Sequence, residues 1–265
     1  MTDRYAVIGN PVAHSKSPLI HAAFARQTGQ DMAYTALLAP LDGFKATVHG
    51  FIAAGGRGAN VTVPFKEQAW QLATRRSPRA EAAGAVNTLR FDGAEIFGEN
   101  TDGVGLVRDL EANLGFPVTG MRVLLLGAGG AARGVILPLL ERQPARLLVA
   151  NRTASKARSL AGQFGCMGAG YDEIGNDTFS LVINATSAGL DEAALPLPRS
   201  VFAPGALAYE MLYGRETPFM RQARAAHARV ADGLGMLIEQ AAEAFLLWRG
   251  VRPDTAPVLR TLRAA

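Results

Sequence analysis

The chain has 265 residues, with 27 lysines and arginines against 23 aspartates and glutamates and a net charge of +4. Nearly half of the residues are apolar and 19% are charged, which excludes a disordered chain. The mild basic excess does not mark a nucleic-acid binder, but it suits an enzyme whose ligands are anions. Tyr5 to Ile8 reads as a strand, followed by a helix with Ser17 as its N-cap and Pro18 at its first position. Ala33 to Leu38 is strand-like and Asp42 to Ala54 helical. Asn60 to Val63 forms the next strand, and Pro64 opens a helix over Phe65 to Leu72. Arg75 to Arg79 reads as a solvated basic loop. Val86 to Phe91 and Glu95 to Gly98 flank Asp92-Gly93, a pair favoured in tight hairpins. Gly103 to Leu114 is helical.

From Gly120 a second rhythm begins. Arg122 to Leu126 is apolar without alternation, as in a strand buried on both faces. Strands at Arg146 to Ala150, Phe179 to Ile183 and Ala206 to Tyr209 follow, separated by helices. The helix Gly235 to Arg249 carries one apolar stripe. The alternation predicts an α/β fold of two domains, an N-terminal domain with a mostly parallel sheet and a Rossmann-type dinucleotide domain. The boundary is placed near residues 103 to 120.

Two classes of chemistry are set aside early. Cys166 is the only cysteine, so an internal disulfide is excluded and a reducing compartment expected. It is read as a small buried or loop thiol. His14, His21, His49 and His227 show no HExxH spacing, and no metal site is expected. His14 and His21 are assigned structural or helix-end roles. Met1 to Tyr5 lacks a hydrophobic signal core, and no apolar run reaches the roughly 18 residues of a spanning helix. The expectation is a cytoplasmic protein with no membrane or nucleic-acid partner. A homodimer and a monomer are both compatible with the sequence.

Strand, glycine turn and helix start meet at Met121 to Ala132, where Gly127, Gly129 and Ala132 fill a GxGxxA pattern. The first glycine permits the turn, the second lets a pyrophosphate approach the backbone, and the alanine lets helix and strand pack closely. The N–H groups of the helix start then face the phosphate. At the end of the next strand, Asn151-Arg152-Thr153 has no carboxylate to bind a ribose 2′-hydroxyl. Arg152, with Ser155, Lys156 and Arg158 behind it, suits a 2′-phosphate instead. The expected cofactor is therefore NADP(H). A dehydrogenase also needs an acid–base group, and Lys66 and Asp102, each at a strand-to-helix junction, are the candidates.

Taken together, the motifs resemble the shikimate dehydrogenase family. They are Val7-Ile8-Gly9-Asn10-Pro11, His14 to Pro18, Asn60 to Lys66, Gly84 to Thr88 and Gly98 to Gly103. Gly127 to Ala131, Asn151 to Thr153, Asn184 to Ser187 and Gly235 to Gln240 complete the series. The resemblance implies an NADPH-dependent reduction of 3-dehydroshikimate to shikimate. It implies a substrate domain over 1–103, an NADP domain over 104–236, and C-terminal helices over 237–265 that complete the substrate domain. By the same similarity, Lys66 and Asp102 are the catalytic pair, and Ser15 and Ser17 bind the substrate carboxylate, with Tyr213 reaching it. Thr62, Lys66, Asn87, Asp102 and Gln240 bind the ring hydroxyls. The cofactor falls to Gly127, Ala128, Gly129, Gly130, Ala131, Asn151, Arg152, Thr153, Lys156, Thr186, Met211 and Gly233. Two departures from the family pattern stand out. Glu210 occupies a position usually held by Asp, and Leu190 follows Gly189 where Met is common. The alternatives are a quinate/shikimate dehydrogenase and a non-catalytic NADP-sensing homologue.

Overall fold

The structure is a computed structural model that describes residues 2–186 and 194–264. Ser187, Gly189 and Leu190, singled out above, lie outside the described residues. The first elements are β1 (Asp3–Gly9), α1 (Ser17–Thr28), β2 (Met32–Leu38), α2 (Phe44–Ala53), β3 (Gly56–Val61) and α3 (Lys66–Leu72). Next come β4 (Arg75–Arg76), α4 (Pro78–Ala83), β5 (Thr88–Asp92), β6 (Glu95–Glu99) and α5 (Asp102–Arg108), which widens into a looser helical turn at Asp109–Asn113. Then follow β7 (Arg122–Leu126), α6 (Gly130–Leu140), β8 (Arg146–Ala150), α7 (Ala154–Gln163), β9 (Met167–Ala169) and β10 (Phe179–Asn184). The last are β11 (Phe202–Glu210), α8 (Pro218–Ala225), β12 (Arg229–Ala231), α9 (Leu234–Arg249) and α10 (Ala256–Ala264). No helix among the described residues is long and apolar enough to cross a membrane.

The chain divides into two compact units, Met1–Gly105 with Ile238–Ala265, and Leu106–Leu237. The first holds a sheet ordered β2-β1-β3-β5-β6-β4. Here β1 runs parallel to β2 and β3, and β4 parallel to β6, while β5 is antiparallel to β3 and β6. The strand alternation sorts the side chains of this unit. Ala6, Ile8, Ala59, Val61, Leu89 and Phe91 pack with Phe44, Val48 and Phe65 on one face. On the other face, Tyr5 and Tyr34 meet His21 of α1 and Trp248 of α9 in an aromatic layer.

The second unit holds a sheet ordered β12-β11-β10-β7-β8-β9, in which every pairing is parallel. Numbered from β7, this is the 3-2-1-4-5-6 order of dinucleotide-binding sheets, with its switch point between β7 and β10. Val123 and Leu125 face one core cluster, and Leu124 and Leu126 face another. Burial on both faces is why these strands show no polar alternation.

Three local expectations are corrected. The strand expected from Asn60 begins at Gly56 and ends at Val61, because the chain turns at Thr62, whose carbonyl accepts from the Phe65 N–H. Ser17 is not the cap of α1. The helix starts at Ser17, Lys16 holds the cap position, and Ser15 Oγ accepts from the Ser17 N–H at 3.2 Å. The basic run is not a free loop. Arg75 grips Glu95 through two bonds of 2.9 Å, Arg76 bonds Glu81 and two carbonyls, and Arg79 pairs with Glu99.

Candidate active site and dinucleotide cradle

Topology places the polar residues of the first unit along one edge of its sheet. Because β1 and β3 are parallel, the segments that leave their C-terminal ends, carrying Ser15 and Ser17 and then Thr62 and Lys66, emerge on the same side. As β5 is antiparallel to β3, its start lies at that edge too, and the Val61 N–H bonds the Asn87 carbonyl at 2.8 Å. The hairpin partner β6 returns there, so Thr101 and Asp102 join the group.

Within this cluster Lys66 Nζ lies 2.6 Å from Asp102 Oδ2, with the lysine side chain 31% exposed and the aspartate 14%. Asn87 donates to Asp102 Oδ1 at 2.8 Å and to Thr101 Oγ1 at 3.0 Å. Gln240 of α9 accepts from Thr101 Oγ1 at 3.3 Å and lies 3.5 Å from Asn87 Nδ2. Asp102 thus has one oxygen on an ammonium and the other on an amide, which orients both partners. A solvent-accessible cation fixed beside a carboxylate, among hydroxyls and amides, can bind a polyhydroxylated ligand and exchange a proton with it.

In the second unit, Gly127 has φ +109° and sits against the Ala185 carbonyl, so a side chain is excluded twice over. Gly129 and Gly130 face open space at the start of α6, leaving backbone N–H groups uncovered. Ala132 is fully buried where helix meets sheet. A cavity of about 410 Å³ is lined by Ala128, Arg133, Ser155, Lys156 and Ser159. Arg133 and Lys156, which line it, make no ion pair among the described residues, so the cradle carries uncompensated positive charge; Arg152, likewise without an ion pair there, is not among the lining residues. That donor set fits a pyrophosphate and an additional phosphate. Thr186, Met211 and Gly233 follow the C-terminal ends of β10, β11 and β12. Met211 bonds the Asn184 carbonyl, and the Gly233 N–H bonds the Leu212 carbonyl. Beneath them the buried Glu210 accepts from Asn184 and Thr217, both at 2.8 Å, and from the Leu212 N–H at 3.1 Å.

Comparison with known proteins agrees with this arrangement. Residues 7–89 match a model of the shikimate dehydrogenase substrate binding domain, 111–189 one of shikimate/quinate 5-dehydrogenase, and 233–263 one of the shikimate 5′-dehydrogenase C-terminal domain. A shikimate dehydrogenase (NADP(+)) from Dechloromonas aromatica is 63% identical, over all of this chain and 98% of its own. The chain belongs to the shikimate dehydrogenase family. A crystal structure of an Ael1 enzyme from Pseudomonas putida superposes with a TM-score of 0.96 at 51% identity, covering 98% of each chain. A shikimate 5-dehydrogenase from Thermus thermophilus, in complex with NADP(H) and shikimate, superposes at 0.90 with 37% identity and 99% coverage of each chain.

Set beside the motifs of this family, the structure brings Lys66, Asn87, Asp102 and Gln240 into contact and places Ser15, Ser17 and Thr62 on the same sheet edge. Tyr213 belongs to the other unit, where burial raises its phenol above the ordinary value. Arg158 pairs with Glu173, so it is not held for a phosphate as expected. Sequence reasoning missed Arg133 and Ser159 in the cradle. Arg133 had a signal, since a basic residue in a first helical turn opposes the helix dipole unless an anion binds there. It also missed Thr101, whose place depends on the β5–β6 register.

Proposed function

We propose that this chain catalyses the reversible NADPH-dependent reduction of 3-dehydroshikimate to shikimate, with Lys66 and Asp102 as its acid–base pair. The observation that carries the reading is the 2.6 Å Lys66–Asp102 contact inside the Asn87–Thr101–Gln240 cluster. The Dechloromonas relative is named a shikimate dehydrogenase (NADP(+)), and the Thermus structure is a complex with NADP(H) and shikimate, which supports this reading.

The nicotinamide supplies the hydride when bound. Lys66 Nζ donates a proton to the oxygen that becomes the alkoxide, and reclaims it in the oxidative direction. Asp102 holds the ammonium in place. Thr62, Asn87 and Gln240 bind ring hydroxyls, and Ser15, Ser17 and Tyr213 bind the carboxylate. Such a site rejects analogues that lack a hydroxyl, because each missing group leaves a buried partner unpaired. Ala128 to Ala131 and Gly127 receive the pyrophosphate, and Asn151, Arg152, Thr153 and Lys156, with Arg133 beside them, hold the 2′-phosphate end. Thr186, Met211 and Gly233 line the nicotinamide end. The first unit is the substrate domain, completed by α9 and α10, and the second is the cofactor domain.

One set of assays tests this, with shikimate and quinate each offered NADP⁺ and NAD⁺. Turnover should be highest with shikimate and NADP⁺. An equal or better rate with NAD⁺ overturns the cofactor assignment, and a preference for quinate overturns the substrate. No turnover in any combination overturns the enzymatic reading.

A further inference from the structure

Tyr34, on β2, lies beside Ser17 and outside the Lys66–Asp102 cluster, yet it ends a hydrogen-bond chain that leads to that cluster. Its phenol donates to Asn60 Oδ1 at 2.7 Å. Asn60 Nδ2 donates to Thr88 Oγ1 at 3.0 Å and to the Asn87 carbonyl at 3.3 Å. Thr88 Oγ1 donates to Asn87 Oδ1 at 3.0 Å, and Asn87 Nδ2 donates to Asp102 Oδ1 at 2.8 Å. Lys66 closes the chain on Asp102 Oδ2. Every proton in this series points toward the Asp102 carboxylate. Asn60, Thr88 and Asn87 are buried, so water does not offer them substitute partners.

We infer that Tyr34 is a positioning residue for the Lys66–Asp102 pair, acting through Asn60, Thr88 and Asn87. The phenol has one proton, and giving it to Asn60 fixes which end of that amide faces β2. The Asn60 amino group must then face β5, so Thr88 accepts from it and turns its own single proton to Asn87 Oδ1. With the Thr101 N–H, which donates to the same Oδ1 at 2.9 Å, this holds Asn87 with its amino group toward Asp102. Bonds arranged in one direction polarise one another, which stiffens the series as a unit. His21 keeps the phenol in line. Its ring stacks on Tyr34 at 4.2 Å and 9°, so it offers no in-plane acceptor to divert the proton. Without the phenol, Asn60 keeps only its bonds to the Asn87 carbonyl and Thr88, its oxygen loses the donor that fixed it, and the Thr88 proton is held less firmly on Asn87.

The inference rests on the acid–base reading of Lys66, and the test separates the two. Four variants are compared by steady-state kinetics with shikimate and NADP⁺, with Tm recorded for each. They are Tyr34→Phe, Thr88→Val, their combination and Lys66→Met. Tyr34→Phe should lower kcat about tenfold, the scale of one buried hydrogen bond, a larger change than in KM for shikimate, on which the phenol can act only through the neighbouring Ser17. Thr88→Val cuts the same chain and should show the same split, and the double variant should be no slower than Thr88→Val alone. Multiplying effects, or a loss shared by kcat and KM, overturn the inference. A normal kcat in Thr88→Val overturns it even if Tyr34→Phe fails to fold. If Lys66→Met falls a hundredfold or more while Tyr34→Phe is unchanged, the Tyr34 inference alone fails. Near-normal turnover in Lys66→Met overturns both.

Discussion

His21, on α1 within the aromatic layer of the first unit, is fully buried, with neither ring nitrogen hydrogen-bonded among the described residues. Burial pushes its imidazole down to about 3, with nearby Asn60 opposing the fall. The sign follows from linkage. The unfolded chain takes up a proton as pH drops through about 6.5, whereas the folded chain stays neutral until about 3. Stability is therefore fully present above about pH 6.5 and is lost on acidification, at up to about 1.4 kcal/mol per pH unit for this group. His21→Leu should flatten the fall in urea midpoint between pH 6.5 and pH 4, and an unchanged slope would refute the assignment. At this scale the sequence was legible where residues stand in short contiguous motifs: Lys66, Asn87, Asp102 and Gln240, singled out on those motifs and the family resemblance, come together in one cluster. Asn60, Thr88 and Thr101 gain their meaning from partners on neighbouring strands, which no linear spacing records.

At the scale of elements, β3 was only half legible, and the short β4, β9 and β12 were not foreseen. The first half of β3 is Gly56-Arg57-Gly58, a stretch of low strand propensity, and the strand was expected only from Asn60. Packing overrides the propensity. A Cβ on Gly58 would come within 2.5 Å of Trp248 Nε1 and 2.8 Å of the Leu89 carbonyl oxygen, the two groups joined by a 2.9 Å hydrogen bond. Glycine there lets α9 lie directly on the sheet. Gly58→Ala should destabilise the protein by about 1–3 kcal/mol through overpacking, measured by urea unfolding. A change within a few tenths would show that Trp248 moves aside freely. The non-alternating strands of the second unit, by contrast, were plain in the sequence, because burial on both faces leaves an apolar run. The Arg75–Arg79 segment reads as a loop because the acidic partners of Arg75 and Arg79, Glu95 and Glu99, lie some twenty residues away across a sheet.

For the molecule as a whole, a ligand that binds only the folded state raises stability by mass action. A hundredfold excess of NADP⁺ over its Kd should add about 2.7 kcal/mol, and NAD⁺ at equal concentration should add much less. Arg152→Ala should bring the two nucleotides together in a thermal-shift measurement. Equal shifts in the unaltered protein would count against a 2′-phosphate site. The order of the motifs along the chain made the family legible, and the strand–helix alternation made the α/β class so. Which strands neighbour which, and hence which residues share an edge, required the structure.

The first unit is assembled from both ends of the described chain. Asp3 pairs with Arg249, and Gln27 exchanges hydrogen bonds with Asp254. The second unit, Leu106–Leu237, is uninterrupted. During synthesis, which proceeds at roughly 5–20 residues per second, the segment made in the middle therefore has its full complement of strands before the one begun earlier. Until α9 leaves the ribosome, the edge carrying Lys66 and Asp102 lacks Gln240, and the β1–β3 face lacks Trp248. A nascent chain would complete the strands that carry its nucleotide cradle first and its polar pocket last, so a chain stopped within α9 just after Leu237 would contain all of the second unit while lacking Gln240.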